Sequence, residues 1–172
     1  MEQIARDARI ASLYEGTTEI QSIDLLARKV LSSKLGLLTA LTDEIQGFIK
    51  HQQHAQFSQQ VAQVSQLTEQ WLELTRTIQA QAQQSANEIG AASVDYLYFS
   101  GYVVSAYLWL KMAITAQQKI EEGNTDPFYA AKIKTAQFFF ARILPRTSTH
   151  LANIQAGGES LFLLEPEEFK FD

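Results

Sequence analysis

The chain has 172 residues, no cysteine, 14 Lys plus Arg against 19 Asp plus Glu, and a formal net charge of −5. With 46% hydrophobic residues it is too apolar for intrinsic disorder. A chain near this length buries about 68–70% of its extended surface, so one domain with a real core, or one domain with a small appendage, is expected. The missing cysteines exclude a disulfide framework, a thiolate nucleophile and any Cys-ligated metal. A pI near 5.2 argues against a nucleic-acid partner, which needs clustered Lys and Arg to neutralise phosphates.

The first residues, Met1 to Asp7, are charged and lack the apolar stretch of a signal peptide, which sets the expectation of a cytoplasmic protein. A helical pattern follows and is interrupted at Tyr14-Glu15-Gly16-Thr17-Thr18. Thr18-Glu19-Ile20-Gln21 has the spacing of a capping box, so a helix is predicted to start at Thr18 and run through Ile23, Leu26 and Val30 to Leu31. That places Glu15 in a loop just ahead of a helix N-terminus, beside a glycine that lets another molecule come close.

After residue 35 four long helices are predicted, over 37–51, 57–86, 92–122 and 127–155, because apolar residues recur at three- and four-residue steps while alternation of period two is never sustained. The second carries Phe57, Val61, Val64, Trp71 and Ile78 on one face, continued by Thr68 and Thr75, with glutamines mostly elsewhere. The third, from Tyr96 to Leu110, is apolar nearly all round. It stops short of the roughly 18 apolar residues of a membrane span and is read as a buried helix, with no membrane partner expected. Gly123 marks a helix end, and Asp126-Pro127 marks the next start, with Asp as N-cap and Pro at N1. Pro145 is expected to kink or break the fourth helix against the carbonyl of Ala141. The fold class is therefore all-α, an antiparallel up-down-up-down four-helix bundle preceded by a short helix-loop-helix segment. Three divisions are expected: residues 1–34, the bundle at 35–156, and a tail at 157–172 that packs back on it.

His51, His54 and His150 are the only imidazoles. A metal site needs three or four convergent ligands, so none is predicted; solvated residues near helix ends are the preferred reading. No Gly-rich phosphate loop and no nucleophile triad is present.

The run Arg6-Asp7-Ala8-Arg9-Ile10, then Tyr14-Glu15-Gly16-Thr17-Thr18-Glu19-Ile20-Gln21, then Ala27-Arg28, resembles the C-terminal signature of the flavin-dependent acyl-CoA dehydrogenases. Ser22-Ile23-Asp24-Leu25-Leu26, the start at Asp126-Pro127-Phe128-Tyr129, the run Ala136 to Pro145 and the ending Ala156-Gly157-Gly158 resemble a bacterial subgroup with an extra C-terminal helical domain, which includes enzymes acting on methylmercaptopropionyl-CoA. The resemblance implies that Glu15 is the catalytic base that takes the α-proton of an acyl-CoA thioester while the β-hydride passes to FAD. It implies that Gly16 and Thr17 lie against the cofactor or acyl chain, with Thr17 the flavin contact. It further implies an electron-transfer flavoprotein or similar acceptor, a homodimer for the full-length enzyme, and that this chain is a C-terminal fragment inactive alone. The rival reading is a non-catalytic helical scaffold whose exposed stripe, Phe57 to Ile78, binds a partner helix or a second copy.

Overall fold

The structure, a computed structural model, describes residues 2–14, 17–52 and 55–169. Every regular element among them is helical. In chain order these are α1 (Glu2–Tyr14), α2 (Thr18–Ile23), a π-helical continuation (Asp24–Leu31), α3 (Gly36–Lys50), α4 (Ser58–Ala82), α5 (Asn87–Glu121), α6 (Pro127–Phe138) and α7 (Thr147–Gln155). Short 3-10 turns occupy Ala55–Phe57, Glu159–Phe162 and Pro166–Phe169.

The punctuation has local causes. Asp126 accepts from the Phe128 N–H at 2.9 Å, and Pro127 follows as the first helical residue, where its missing donor costs nothing. At Pro145 the fourth segment does not stop. It passes through a π turn, Phe139–Ile143, and a 3-10 turn, Leu144–Arg146, before regular α-helix resumes at Thr147. Removing one donor and crowding the carbonyl behind it disrupts the i→i−4 ladder for about two turns. Between the π-helical continuation and α3 the chain turns on Lys34 and Leu35, both left-handed at φ 53° and 65°. That conformation costs roughly 1–2 kcal/mol per non-glycine residue. It is held by burial of the Leu35 side chain and by the bond from Leu35 N–H to the Val30 carbonyl at 3.1 Å.

Helix α5 is the axis of the molecule, packing against α2, α4, α6 and α7. The Thr75–Tyr96 and Gln56–Gln117 hydrogen bonds show that α4 and α5 run antiparallel. The Asp95–His150 and Trp109–Phe139 contacts show the same for α5 and the segment from α6 to α7. α5 is longer than the uncharged aromatic run suggested, and by length and composition it could cross a membrane. Within the fold, twelve of its residues are buried.

Two apolar clusters divide the core along α5. One gathers Ile45, Phe57, Val64, Leu110, Ile133 and Phe140 around its C-terminal half. The other gathers Leu26, Leu38, Trp71, Ile78, Phe99 and Ile154 around its N-terminal half. Leu26 and Val30 thus share a core with α4, α5 and α7, although they precede residue 35. The stripe Phe57, Val64, Trp71 and Ile78, expected by the rival reading to face a partner, is at most 3% exposed and forms core. Thr68 and Thr75, continuing that stripe, are buried because each returns its hydroxyl proton to the carbonyl four residues back, at 2.7 Å.

The tail divides in two. Gly158 N–H donates to Glu88 Oε2 at 2.9 Å and so ties the start of the tail to the N-terminus of α5. Beyond that tie Leu161, Phe162, Leu163 and Leu164 are 58–66% exposed, in a stretch that holds the two 3-10 turns Glu159–Phe162 and Pro166–Phe169.

Candidate functional site

Glu15 and Gly16 lie outside the described residues. The elements on either side of that pair are described. On its upstream side α1 runs to Tyr14. Residues 2–9 are exposed and tied along their own helix by Gln3–Asp7 at 2.7 Å, Arg6–Gln3 at 3.1 Å and Arg6–Glu2 at 3.8 Å.

On the downstream side α2 starts at Thr18, as expected, but its cap falls one residue earlier than the capping-box spacing suggested. Thr17, with φ −57° and ψ 154°, is the N-cap, and its Oγ1 accepts from the Ile20 N–H at 3.4 Å. Extended backbone at Thr17 brings its own hydroxyl over the third amide of the turn. Ile20 rather than Gln21 then occupies the third helical position, so the reciprocal half of a capping box does not form. The consequence for chemistry is specific: the Thr17 hydroxyl is exposed and accepts from the backbone, which leaves its own proton available to donate.

α2 is fixed to the rest of the molecule by a buried polar pair. Ser22 is fully buried; its Oγ donates to Ser93 Oγ on α5 at 3.1 Å, with the Glu19 carbonyl, 2.8 Å away, competing for the same proton. Ser93 in turn bonds the Gly90 carbonyl at 3.0 Å. Leu26 and Val30, one and two turns further on, enter the second apolar cluster. Asp24 and Arg28, 3.1 Å apart, close the exposed side. Three residues of α2 and its continuation are therefore immobilised by α5 and its neighbours, which fixes the helix that begins directly after residues 15–16. Sequence spacing could not have found Ser93, which pairs with Ser22 across 71 residues.

Two apolar residues of this segment remain uncovered: Ile20 is 62% and Ile23 44% exposed. Ile4 on α1 is 67% exposed.

Elsewhere two of the three histidines are described. His150 is taken up by α5: its Nδ1 lies 2.7 Å from Asp95 Oδ1, and its ring stacks near Tyr98 and Tyr102, with centroids 5.3 and 5.7 Å away. His51 closes α3, and His54 lies outside the described residues. No group of three or more His, Asp or Glu that could hold a metal occurs among the described residues. The buried phenol of Tyr96, bonded to Thr75 Oγ1 at 2.8 Å, has its pKa pushed up to about 12 by burial. The hydrogen bond to Thr75 opposes that shift. It belongs to the core and faces no cleft.

The sequence as a whole decides the family. Residues 41–165 match the family described as acetyl-CoA dehydrogenase C-terminal like. The chain belongs to that family. It is 31% identical over 166 residues to a 3-methylmercaptopropionyl-CoA dehydrogenase of Ruegeria pomeroyi, covering 92% of this chain and 27% of that protein. It is 30% identical over 158 residues to a broad-specificity linear acyl-CoA dehydrogenase of Mycobacterium tuberculosis, covering 84% of this chain and 25% of the relative. A butyryl-CoA dehydrogenase of Syntrophomonas wolfei is 25% identical over 171 residues, 97% of this chain and 28% of its own length. The chain thus spans about a quarter of the length of the curated relatives it matches. These matches begin upstream of residue 41, where the family model begins, and so take in much of the segment that carries Thr17 and Ser22.

Proposed function

We propose that this chain is the C-terminal part of a flavin-dependent acyl-CoA dehydrogenase and that Glu15 is its base. The observation that carries the reading is the docking of α2. The helix that follows Tyr14-Glu15-Gly16 is capped by Thr17 and pinned to α5 through Ser22 and Ser93, as presenting one carboxylate in a fixed place requires.

In this reading the thioester's α C–H bond breaks and its proton goes to the Glu15 carboxylate. FAD, when bound, supplies the acceptor for the hydride leaving the β-carbon, so that a carbon–carbon double bond forms. A proton α to a thioester is weakly acidic, so Glu15 works best where water is excluded and its pKa is raised toward neutrality. The exposed Thr17 hydroxyl, accepting from Ile20 and still able to donate, fits a single hydrogen bond to an acceptor atom of the flavin. Gly16 keeps the loop free of a side chain where cofactor and acyl chain approach. The described residues offer one such donor beside the loop, which is too little to hold FAD alone. In our proposal the remaining flavin and CoA contacts come from the rest of a protein about four times as long, and Ile20 and Ile23 are covered by it. The 172 residues alone are expected to be inactive.

The same proposal takes an electron-transfer flavoprotein or similar acceptor, a homodimeric full-length enzyme, and a cytoplasmic setting. It divides the chain into the loop-bearing segment 1–34, the appended domain 35–156 and the tail 157–172. It treats α3, α4, α5 and the segment α6–α7 as one up-down-up-down four-helix bundle, supported by the antiparallel pairs at α5.

The test is Glu15→Gln in the full-length protein, followed by flavin absorbance on mixing with acyl-CoA. Removing a general base lowers the rate about 10²–10⁴-fold, with folding and flavin content unchanged. Unimpaired flavin reduction by the variant removes the assignment.

A further inference from the structure

An apolar groove lies between the outer face of α5 and the start of α6, with a volume of about 480 Å³. Leu108, Met112, Phe128 and Tyr129 form its floor and walls, and Leu108 and Phe128 are nearly half exposed. Its charged lining is wholly basic. Lys111 and Lys132 stand at the groove, each with its ammonium over an aromatic ring: Lys132 lies 5.0 Å from the Phe128 centroid and Lys111 5.1 Å from that of Tyr107. No described residue covers the exposed parts of Leu108, Met112 and Phe128.

The tail has the complementary character. Leu161, Phe162, Leu163 and Leu164 form the longest consecutive run of exposed large apolar residues among those described. Glu159 precedes the run, and Glu165, Glu167 and Glu168 follow it, with no Lys or Arg between Arg146 and Lys170. An apolar segment flanked by carboxylates matches an apolar groove whose charged lining residues are two lysines.

The two cannot meet within one molecule. Gly158 is held at Glu88, and Leu108 lies twenty residues further along the same continuous helix, about 30 Å at the α-helical rise. From residue 158 even fully extended chain reaches Leu164 in about 22 Å and Leu161 in about 11 Å. The apolar run ends short of its own groove.

We propose that this groove is the docking site for the 159–168 tail of a second copy of this chain, with the four leucine and phenylalanine side chains in the groove and the flanking glutamates against Lys111 and Lys132. The surface is distinct from the buried Phe57 to Ile78 stripe, and the inference stands independently of the role of Glu15.

The experiment is sedimentation velocity of the 172-residue chain from about 5 to 200 μM, a range suited to a weak interface of modest area. The chain associates with rising concentration. Phe162→Asp in the tail and Met112→Glu in the groove each weaken association at least about tenfold, the effect expected from placing a charge where an apolar side chain was buried. Both positions carry exposed surface, and far-UV circular dichroism establishes that the variants stay folded. A fluorescent peptide of sequence 159–168 provides the second measurement. It binds the Phe162→Asp chain, whose groove is intact, and fails to bind the Met112→Glu chain. Lys111→Glu with Lys132→Glu also weakens peptide binding, and a peptide with Lys in place of Glu165 and Glu167 recovers it. A chain that stays monomeric throughout overturns the proposal. So does a dimer indifferent to both apolar substitutions, which would place the contact on another surface, and so does a peptide that binds both variants equally.

Discussion

Replacing Tyr96 with Phe tests the account of the core most sharply, because the effect of the substitution is expected to change sign with pH. At neutral pH the phenol contributes one buried hydrogen bond, to Thr75 at 2.8 Å. Thr75 keeps a second bond, to the Trp71 carbonyl at 2.7 Å, so the variant leaves its hydroxyl partnered. The cost should be about 1 kcal/mol, or about 2–4 °C in melting temperature for a domain of this size. Burial raises the phenol's pKa to about 12 in the folded chain, against about 10 when unfolded. A group whose folded pKa is raised stabilises fully below its unfolded pKa and loses that contribution as pH climbs through the folded value. Between pH 10 and 12 the parent chain should therefore lose about 2 kcal/mol that the variant, lacking the phenol, retains. The two stability curves should cross near pH ~11. Urea unfolding read by tryptophan fluorescence at several pH values from 7 to 12 gives both curves. The lysines and the other tyrosines titrate in both proteins, so the difference isolates Tyr96. A gap that stays constant across the alkaline limb would refute the claim that burial, rather than the hydrogen bond alone, governs this phenol.

Ser22→Ala and Ser93→Ala should each cost about 1 kcal/mol, and the double variant should cost less than the two together by roughly 0.5–1 kcal/mol. Strict additivity in urea melts would mean that the two hydroxyls do not anchor α2 through each other. Asp126→Ala should lower stability by about 1 kcal/mol by removing the acceptor for the Phe128 N–H, while Asp126→Asn should be close to neutral. Thermal denaturation that fails to separate the two variants would argue against the cap.

Much of the fold was legible because its causes are local. The Asp126-Pro127 start, the disruption at Pro145 and the apolar period of Phe57, Val64, Trp71 and Ile78 are set by neighbours within one or two turns, and the helices fall within a few residues of their expected limits. The capping position was off by one, Thr17 for Thr18, because two adjacent threonines offer equivalent hydroxyls and only the backbone angle at the junction chooses between them. The family was legible in the spacing of the first 28 residues and is borne out by the match over residues 41–165.

Tertiary structure decided the rest, since each of these features joins residues whose separation carries no periodic signal. Ser22 meets Ser93, His150 meets Asp95 instead of another imidazole, and the Phe57 to Ile78 stripe turns inward on α5 instead of outward to a partner. Hydrophobic period tells which face of a helix avoids water, but the object that covers that face depends on chain crossings many turns apart. For the same reason composition announced an apolar tail but not its exposure. Only the structure shows Gly158 tied to Glu88 and Leu161, Phe162, Leu163 and Leu164 exposed beyond it.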